Sequence, residues 1–306
     1  MTTLFEMQKK EIQKLVLKEK DRLGSGRAVA TKCGVSEATI SQIVNGKFDD
    51  LTDKMWRKVA AKLDYNATGW QIVQTTNIRT LYRLFQTSKD RSMWIAISQK
   101  AGNSKTTAGK AYASEFHQNS VFFLQAREWG KREFLYNLTS MLGINNTVST
   151  CERMIIQIIE FFNQRREDNP LLIIDEADKL HADALRTLIP IFNDLEDQLG
   201  VVMMGTENLE KQFKLGLRHS KKGYDELWSR FGGKFIHLYG ATKADVEAIC
   251  NANEIYDKKK IQQIWKGCSP EQVQIAGQFM PMLTDLRQLK RAVQKAQLLQ
   301  EGTIAA

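Results

Sequence analysis

Four consecutive apolar residues, Leu171-Leu172-Ile173-Ile174, run straight into Asp175-Glu176-Ala177-Asp178. An uninterrupted apolar run of that length is a strand buried on both faces, as in the middle of a parallel sheet. Acids at its carboxyl end have two common uses. One is chemical: Asp175 would hold Mg²⁺ through water, while Glu176 would polarise a water for attack on a γ-phosphate. The other is plainer, an acid that caps the next helix. The choice turns on whether a phosphate-binding loop lies upstream.

Such a loop is present in altered form. Trp94-Ile95-Ala96-Ile97 reads as a short strand, Gln99-Lys100-Ala101-Gly102-Asn103-Ser104-Lys105-Thr106 follows, and a helical run spans 107–116. Backbone N–H groups at a helix start form a natural anion cradle. In the pattern G-x-x-x-x-G-K-[ST], Lys105 reaches the β/γ-phosphates and the Thr106 hydroxyl ligates Mg²⁺, with Gly102, Asn103, Ser104 and Thr107 completing the cradle. Gln99 and Ser104 stand where the pattern has glycines, and each replacement costs roughly 1–3 kcal/mol if it must adopt positive φ. Slow hydrolysis, or binding without much hydrolysis, is therefore expected. The alternative for Lys105 is an ordinary helix start.

Further apolar strands follow at 120–124, 201–206 and 235–238, with amphipathic helices between them. Alternation of this kind predicts an α/β fold, a parallel sheet sandwiched by helices, with ligands at the carboxyl ends of the strands. Lys105, Thr106, Asp175, Glu176 and Thr206 all fall at such ends.

The N-terminal segment reads differently. Residues 27–47 form two short helices turning at Gly34, with Val35, Ile40 and Ile43 spaced to face a core. This is a helix-turn-helix, similar to the phage-repressor type over about 45 residues, ending near Leu63. Ser36, Glu37, Thr39, Ser41 and Gln42 are the outward polar residues expected to meet bases or phosphates. A helical hairpin used only for protein contacts is the alternative. The pattern loosens after Asp64, giving a four-part plan: a helix-turn-helix domain over 1–66, a linker over 67–76, an α/β core over 77–240 and a helical lid over 241–306.

Charge supports a polyanionic partner. The net charge is +9, and residues 1–66 hold 13 basic against 9 acidic residues. The four cysteines lack C-x-x-C spacing, which argues against zinc or a disulfide framework. No apolar run approaches 18 residues, so a cytoplasmic protein without a membrane partner is expected.

The order of motifs resembles AAA+ ATPases, and within them the target selectors of transposing phages and transposons, the phage Mu B type. The resemblance spans most of the chain and departs from the type at Gln99 and Ser104. It implies ATP and Mg²⁺ as cofactors. Thr206 would orient the attacking water at the sensor 1 position. Arg230, in Leu227-Trp228-Ser229-Arg230-Phe231, would be the arginine finger reaching a neighbouring subunit, and Arg287 the lid's sensor 2 contact. The catalytic set is then Glu176, Arg230 and Thr206, with Asp175 and Thr106 at the metal. Arg127, Lys131 and Arg132 become candidates for phosphate contacts along double-stranded DNA. The resemblance further implies homo-oligomers, as rings or helical filaments, and a transposase partner. A helicase loader, or a repressor with a degenerate nucleotide domain, are the rival readings.

Overall fold

In the computed structural model, residues 6–63, 65, 70–115, 120–145, 150–275 and 277–300 are described. Residues 67–69 of the expected linker, Phe116 at the end of the expected phosphate-loop helix and the tail 301–306 lie outside them. At the centre is a five-stranded parallel sheet, β1 (Trp94–Ser98), β2 (Val121–Gln125), β3 (Leu171–Asp175), β4 (Gly200–Gly205) and β5 (Phe235–Ile236), in the order β2-β3-β4-β1-β5. The strands begin and end within two residues of the sequence-based positions. β3 and β4 are buried along their whole length, as their unbroken apolar runs require. Each large side chain so buried contributes on the order of 1.5–3 kcal/mol.

The order has one consequence for everything that follows. β4 sits between β1 and β3, pairing Ser98 with Gly205 on one side and Ile174 with Met203 on the other. The loops leaving the three strands therefore open side by side.

Four helices precede the sheet: α1 (Glu6–Leu23), α2 (Gly26–Cys33), α3 (Glu37–Val44) and α4 (Asp53–Lys62). Gly34, at φ 64, makes the turn between α2 and α3, and Ile40 and Ile43 are buried as expected. One expected outward residue is not outward. Thr39 is 5% exposed because the Ser36 side chain caps α3, accepting from Thr39 N at 3.2 Å and meeting Thr39 Oγ1 at 2.9 Å. A hydroxyl next to an N-cap serine is drawn into the cap rather than into solvent. Ser36, Glu37 and Ser41 are exposed and Gln42 half-buried.

α5 (Thr76–Asp90) leads to β1, and α6 (Lys105–Glu115), α7 (Lys131–Met141) and α8 (Cys151–Asn163) connect the strands up to β3. Two short helices, α9 (Ala182–Arg186) and α10 (Leu188–Leu195), precede β4, and α11 (Glu207–Arg218) and α12 (Tyr224–Arg230) precede β5. The C-terminal segment holds α13 (Lys243–Ala252), α14 (Lys258–Gly267) and α15 (Leu286–Gln300) around a core of its own. It also contains an antiparallel hairpin of β6 (Glu271–Ile275) and β7 (Gln278–Met282), which the sequence pattern does not announce. Residues 70–76, expected within a linker, are stitched to this segment: Gln71 N donates to Asn253 Oδ1 at 3.1 Å and Thr76 N to Asp245 Oδ1 at 3.0 Å. Among the described residues no helix is long and apolar enough to cross a membrane. Cys33, Cys250 and Cys268 are buried free thiols.

The N-terminal helices share one hydrophobic cluster with the α/β core. The contact is specific. Arg22 Nη1 donates to Val121 O at 3.0 Å at the start of β2, and its guanidinium lies 4.9 Å from the Phe122 ring centre. Glu19 accepts from Arg22 at 2.5 and 2.9 Å and from Lys32 at 2.7 Å. Ala28 of α2 packs so closely on Gly143 that a Cβ there would lie 2.6 Å from Ala28 Cβ. Burial would raise the Glu19 carboxyl, but the two cations outweigh it and hold the group at about 2 against an ordinary 4.5. A depressed folded value means that the stabilisation is full above pH 4.5 and is lost as pH falls toward 2. Glu19→Gln should lower the melting temperature at pH 7 by several degrees, since breaking a buried pair costs roughly 3–5 kcal/mol. The difference from wild type should close in melts run from pH 4.5 down to pH 2; equal melting temperatures at pH 7 would count against the assignment.

Candidate functional site

Side chains from the ends of β1, β3 and β4 converge on one cleft of about 1240 Å³. The loop after β1 turns back through Gly102 at φ 85 and Ser104 at φ 61, then enters α6 at Lys105. The two departures from the glycine pattern are thus unequal. Gln99 is not among the residues with positive φ; its N donates to Gly205 O at 3.2 Å, continuing the strand pairing, and its Oε1 accepts from Leu238 N at 3.3 Å. Only Ser104 occupies the left-handed region, so the backbone cost falls there alone. Gly102 is required by its positive φ and by a close approach. A Cβ at this position would lie 2.4 Å from Asp285 Oδ1, because the residues opening α15 press on the loop and Leu286 N donates to Gly102 O at 2.9 Å.

Lys105 is 8% exposed, and its Nζ donates to Gln99 O at 2.6 Å and Lys100 O at 3.0 Å. Burial lowers the affinity of this ammonium for its proton, and the nearby Asp175 and Asp178 act in the opposite direction. Thr106 Oγ1 donates to Asp175 Oδ2 at 2.6 Å, which brings the two expected Mg²⁺ ligands together. Asp175 is 1% exposed. Burial raises its carboxyl above the ordinary range, against the pull of the Thr106 hydrogen bond. A buried carboxylate beside a hydroxyl and a lysine suits a divalent cation with its phosphate, whose charge would complete the balance.

Glu176 has φ 54, and its side chain is held at both oxygens, by Gln125 Nε2 at 3.2 Å and by Lys179 Nζ. Thr206 caps α11, and its hydroxyl donates to Asp178 Oδ2 at 2.7 Å while Thr206 N donates to Asp178 Oδ1 at 3.1 Å. Its oxygen meets other groups only as an acceptor. Asp178, which ties the end of β4 to the turn after β3, was not singled out from sequence; its signal is only its place three residues after Asp175. Asn103, expected as a cradle residue, is 1% exposed, and its side-chain amide is bonded to Asn77 and to Lys100 O. Thr107 is exposed on the cleft wall.

Arg287 lines the same cleft from the start of α15. Val73, Ile78, Ile249, Leu286 and Leu289 add an apolar wall, with Trp70 beside Lys290 Nζ 5.2 Å from its ring centre. A flat apolar base fits such a wall, and reading 67–76 as a linker hides it. Arg230 stands elsewhere in this chain. Its guanidinium donates to Asn193 Oδ1 at 2.7 Å, lies 3.6 Å from Glu226 and stacks 5.1 Å from the Phe192 ring centre. Arg127, Lys131 and Arg132 are exposed in the loop after β2 and at the start of α7. A shallow depression of about 400 Å³ joins Arg127 and Glu128 to Gln125, Glu176 and Lys179.

Residues 90–213 match the model of a family described as an AAA domain. Among solved structures, Cdc6p from Pyrobaculum aerophilum aligns with a TM-score of 0.51 at 14% identity, over 78% of this chain and 65% of that one. The Holliday junction branch migration motor RuvB of Thermotoga maritima gives 0.34 at 18% identity, over 58% and 49%. NtrX from Brucella abortus gives 0.41 at 13% identity, over 86% and 59%. The chain thus spans less than two thirds of the length of each of these structures. No curated protein matches it. The α/β core is an AAA-type P-loop ATPase fold, with helical segments at both ends.

Three variants test this site. The raised pKa of Asp175 in the folded chain means that its contribution to stability falls as pH rises from 3.8 through that value. Asp175→Asn should therefore raise the melting temperature at pH 7 by about 2–4 °C for each kcal/mol recovered, and lose the gain below pH 3.8; a lowered melting temperature at pH 7 would argue that the carboxylate is stabilising. Ser104→Gly should relieve about 1 kcal/mol of backbone strain and raise midpoint stability in urea, whereas Gly102→Ala should lower it.

Proposed function

We propose that this chain, whose core is an AAA-type P-loop ATPase fold, binds ATP with Mg²⁺ and uses it to assemble on double-stranded DNA, where it selects a target and recruits or activates a transposase. The observation that carries the reading is the meeting of Lys105, Thr106 and Asp175 at or beyond the carboxyl ends of β1 and β3, the two parallel strands that flank β4, with Arg287 across the same cleft. Lys105 and the loop amides hold the β- and γ-phosphates, Thr106 and Asp175 hold the metal, and the wall of Val73, Ile78, Ile249 and Leu289 takes the base. Mg²⁺, when bound, neutralises charge on the phosphates. Glu176 serves as the base that polarises water, once released from Lys179 and Gln125, and the Thr206 oxygen accepts a hydrogen bond from that water.

Arg230 acts between subunits. On its own chain it rests on Asn193 and Phe192; in an assembly it exchanges those partners for a neighbour's γ-phosphate. ATP then joins subunits, and many weak phosphate contacts from Arg127, Lys131, Arg132 and the exposed hydroxyls of Ser36 and Ser41 add up on one duplex, with Glu37 facing donor groups on base edges. The excess positive charge, +9, supports a polyanionic partner.

The test is sedimentation and electron microscopy of the chain on random-sequence duplex with ATP, a slowly hydrolysed analogue, ADP or no nucleotide. Regular rings or filaments are expected only with triphosphate. Arg230→Ala should bind nucleotide within about twofold of wild type and lose those oligomers, because it removes only the contact made in trans. Small discrete particles that bind one DNA site without nucleotide would favour a repressor, and co-purification with a helicase in place of a transposase would favour a loader.

A further inference from the structure

Asn77, on the first turn of α5, is 2% exposed and lies outside the site as described above. Both ends of its amide are engaged. Oδ1 accepts from Gly240 N at 3.1 Å, and Nδ2 donates to Asn103 Oδ1 at 3.1 Å. Asn103 extends the chain, its Nδ2 donating to Lys100 O at 3.3 Å, and Lys100 O also accepts from Lys105 Nζ. Two buried amides thus run from the backbone that holds the phosphate-loop lysine to Gly240.

Gly240 is the point where the core passes into the C-terminal segment. Its φ is +114, and a Cβ there would lie 2.8 Å from Leu283 O. The next residue, Ala241, forms an isolated bridge with Leu283, which lies two residues before the Asp285 that packs on Gly102. The loop and this junction are therefore linked by two routes, one along the chain from Leu283 to Asp285 and one through the paired amides.

Ser104 supplies the reason for the second route. A non-glycine residue persists in the left-handed region only where its surroundings over-determine it. Asn103 is its immediate neighbour, and the bond from Asn77 fixes that neighbour's side chain deep in the protein. Burying amides is costly unless their groups are paired, so the pairing imposes one geometry on both segments it joins.

We infer that Asn77 is a positioning residue: through Asn103 it sets the curvature of the phosphate loop, and through Gly240 it makes the loop and the C-terminal segment change position together. The consequence for nucleotide binding rests on the function proposed above; the coupling itself does not.

The experiment uses the full chain with Asn77→Ala, Asn103→Ala and the double variant. Affinity for a fluorescent ATP analogue and hydrogen exchange in peptides over residues 99–104 and 238–243 are measured together. Each single variant should weaken the analogue about tenfold, since each removes two buried hydrogen bonds, one of them the bond between the two amides, and the double variant should be no worse than Asn77→Ala because both act through one chain of contacts. Asn103→Ala, although it touches only the loop side, should also speed exchange at 238–243. If Asn77→Ala fails to fold, Asn77→Ser, which keeps a short polar group, takes its place. Additive losses in the double variant, affinities within about twofold of wild type, or unchanged exchange at 238–243 in Asn103→Ala would overturn the inference. A wild-type chain that binds no nucleotide would instead remove the proposed function, while exchange at 238–243 would still decide the coupling.

Discussion

The hydrogen bond from Thr106 Oγ1 to Asp175 Oδ2, 2.6 Å long, crosses from the helix after β1 to the end of β3. It can form only because β4 holds those two strands in one register, so that both end on the same side of the sheet. Asp178 repeats the device between the turn after β3 and the end of β4. Together these bonds bring groups from three loops into contact without any loop folding alone into a site. Their cost is an acid kept almost wholly from water, which the fold tolerates because the strands around it are buried along their length.

Much of this was legible in the sequence, and for an identifiable reason. β1, β3 and β4 are short unbroken apolar runs that end in polar residues, and a strand buried on both faces has no other way to be written. Asp175 could be placed because it closes such a run, and Lys105 and Thr106 because one short loop separates them from another. What stayed hidden depends on distance along the chain. Arg22 meets Val121 across 99 positions, and Gly240 meets Asn77 across 163. Neither partner carries a local mark.

The errors are instructive in the same way. Gln99 and Ser104 look equivalent as departures from a glycine pattern, yet only one of them has positive φ, a property of the backbone path rather than of the residue type. Thr39 looks like a surface hydroxyl because polarity predicts exposure; the N-cap at Ser36 makes it a buried one. The β6–β7 hairpin is hard to read because the period-2 pattern of β6 rests on Val273 and Ile275 alone, and Pro281 inside β7 argues against a strand there.

The docking of Arg22 on β2 bears on how such a chain can be inherited. A unit joined by a tether is exchanged freely between proteins, since nothing is lost when it is cut away. Here separation would uncover the Phe122 ring face, deprive Val121 O of its donor and open the close approach between Ala28 and Gly143. A replacement for the N-terminal helices would need a cation at one place and a small side chain at another. The two parts are thus bound to diverge as a pair, each limiting the substitutions open to the other.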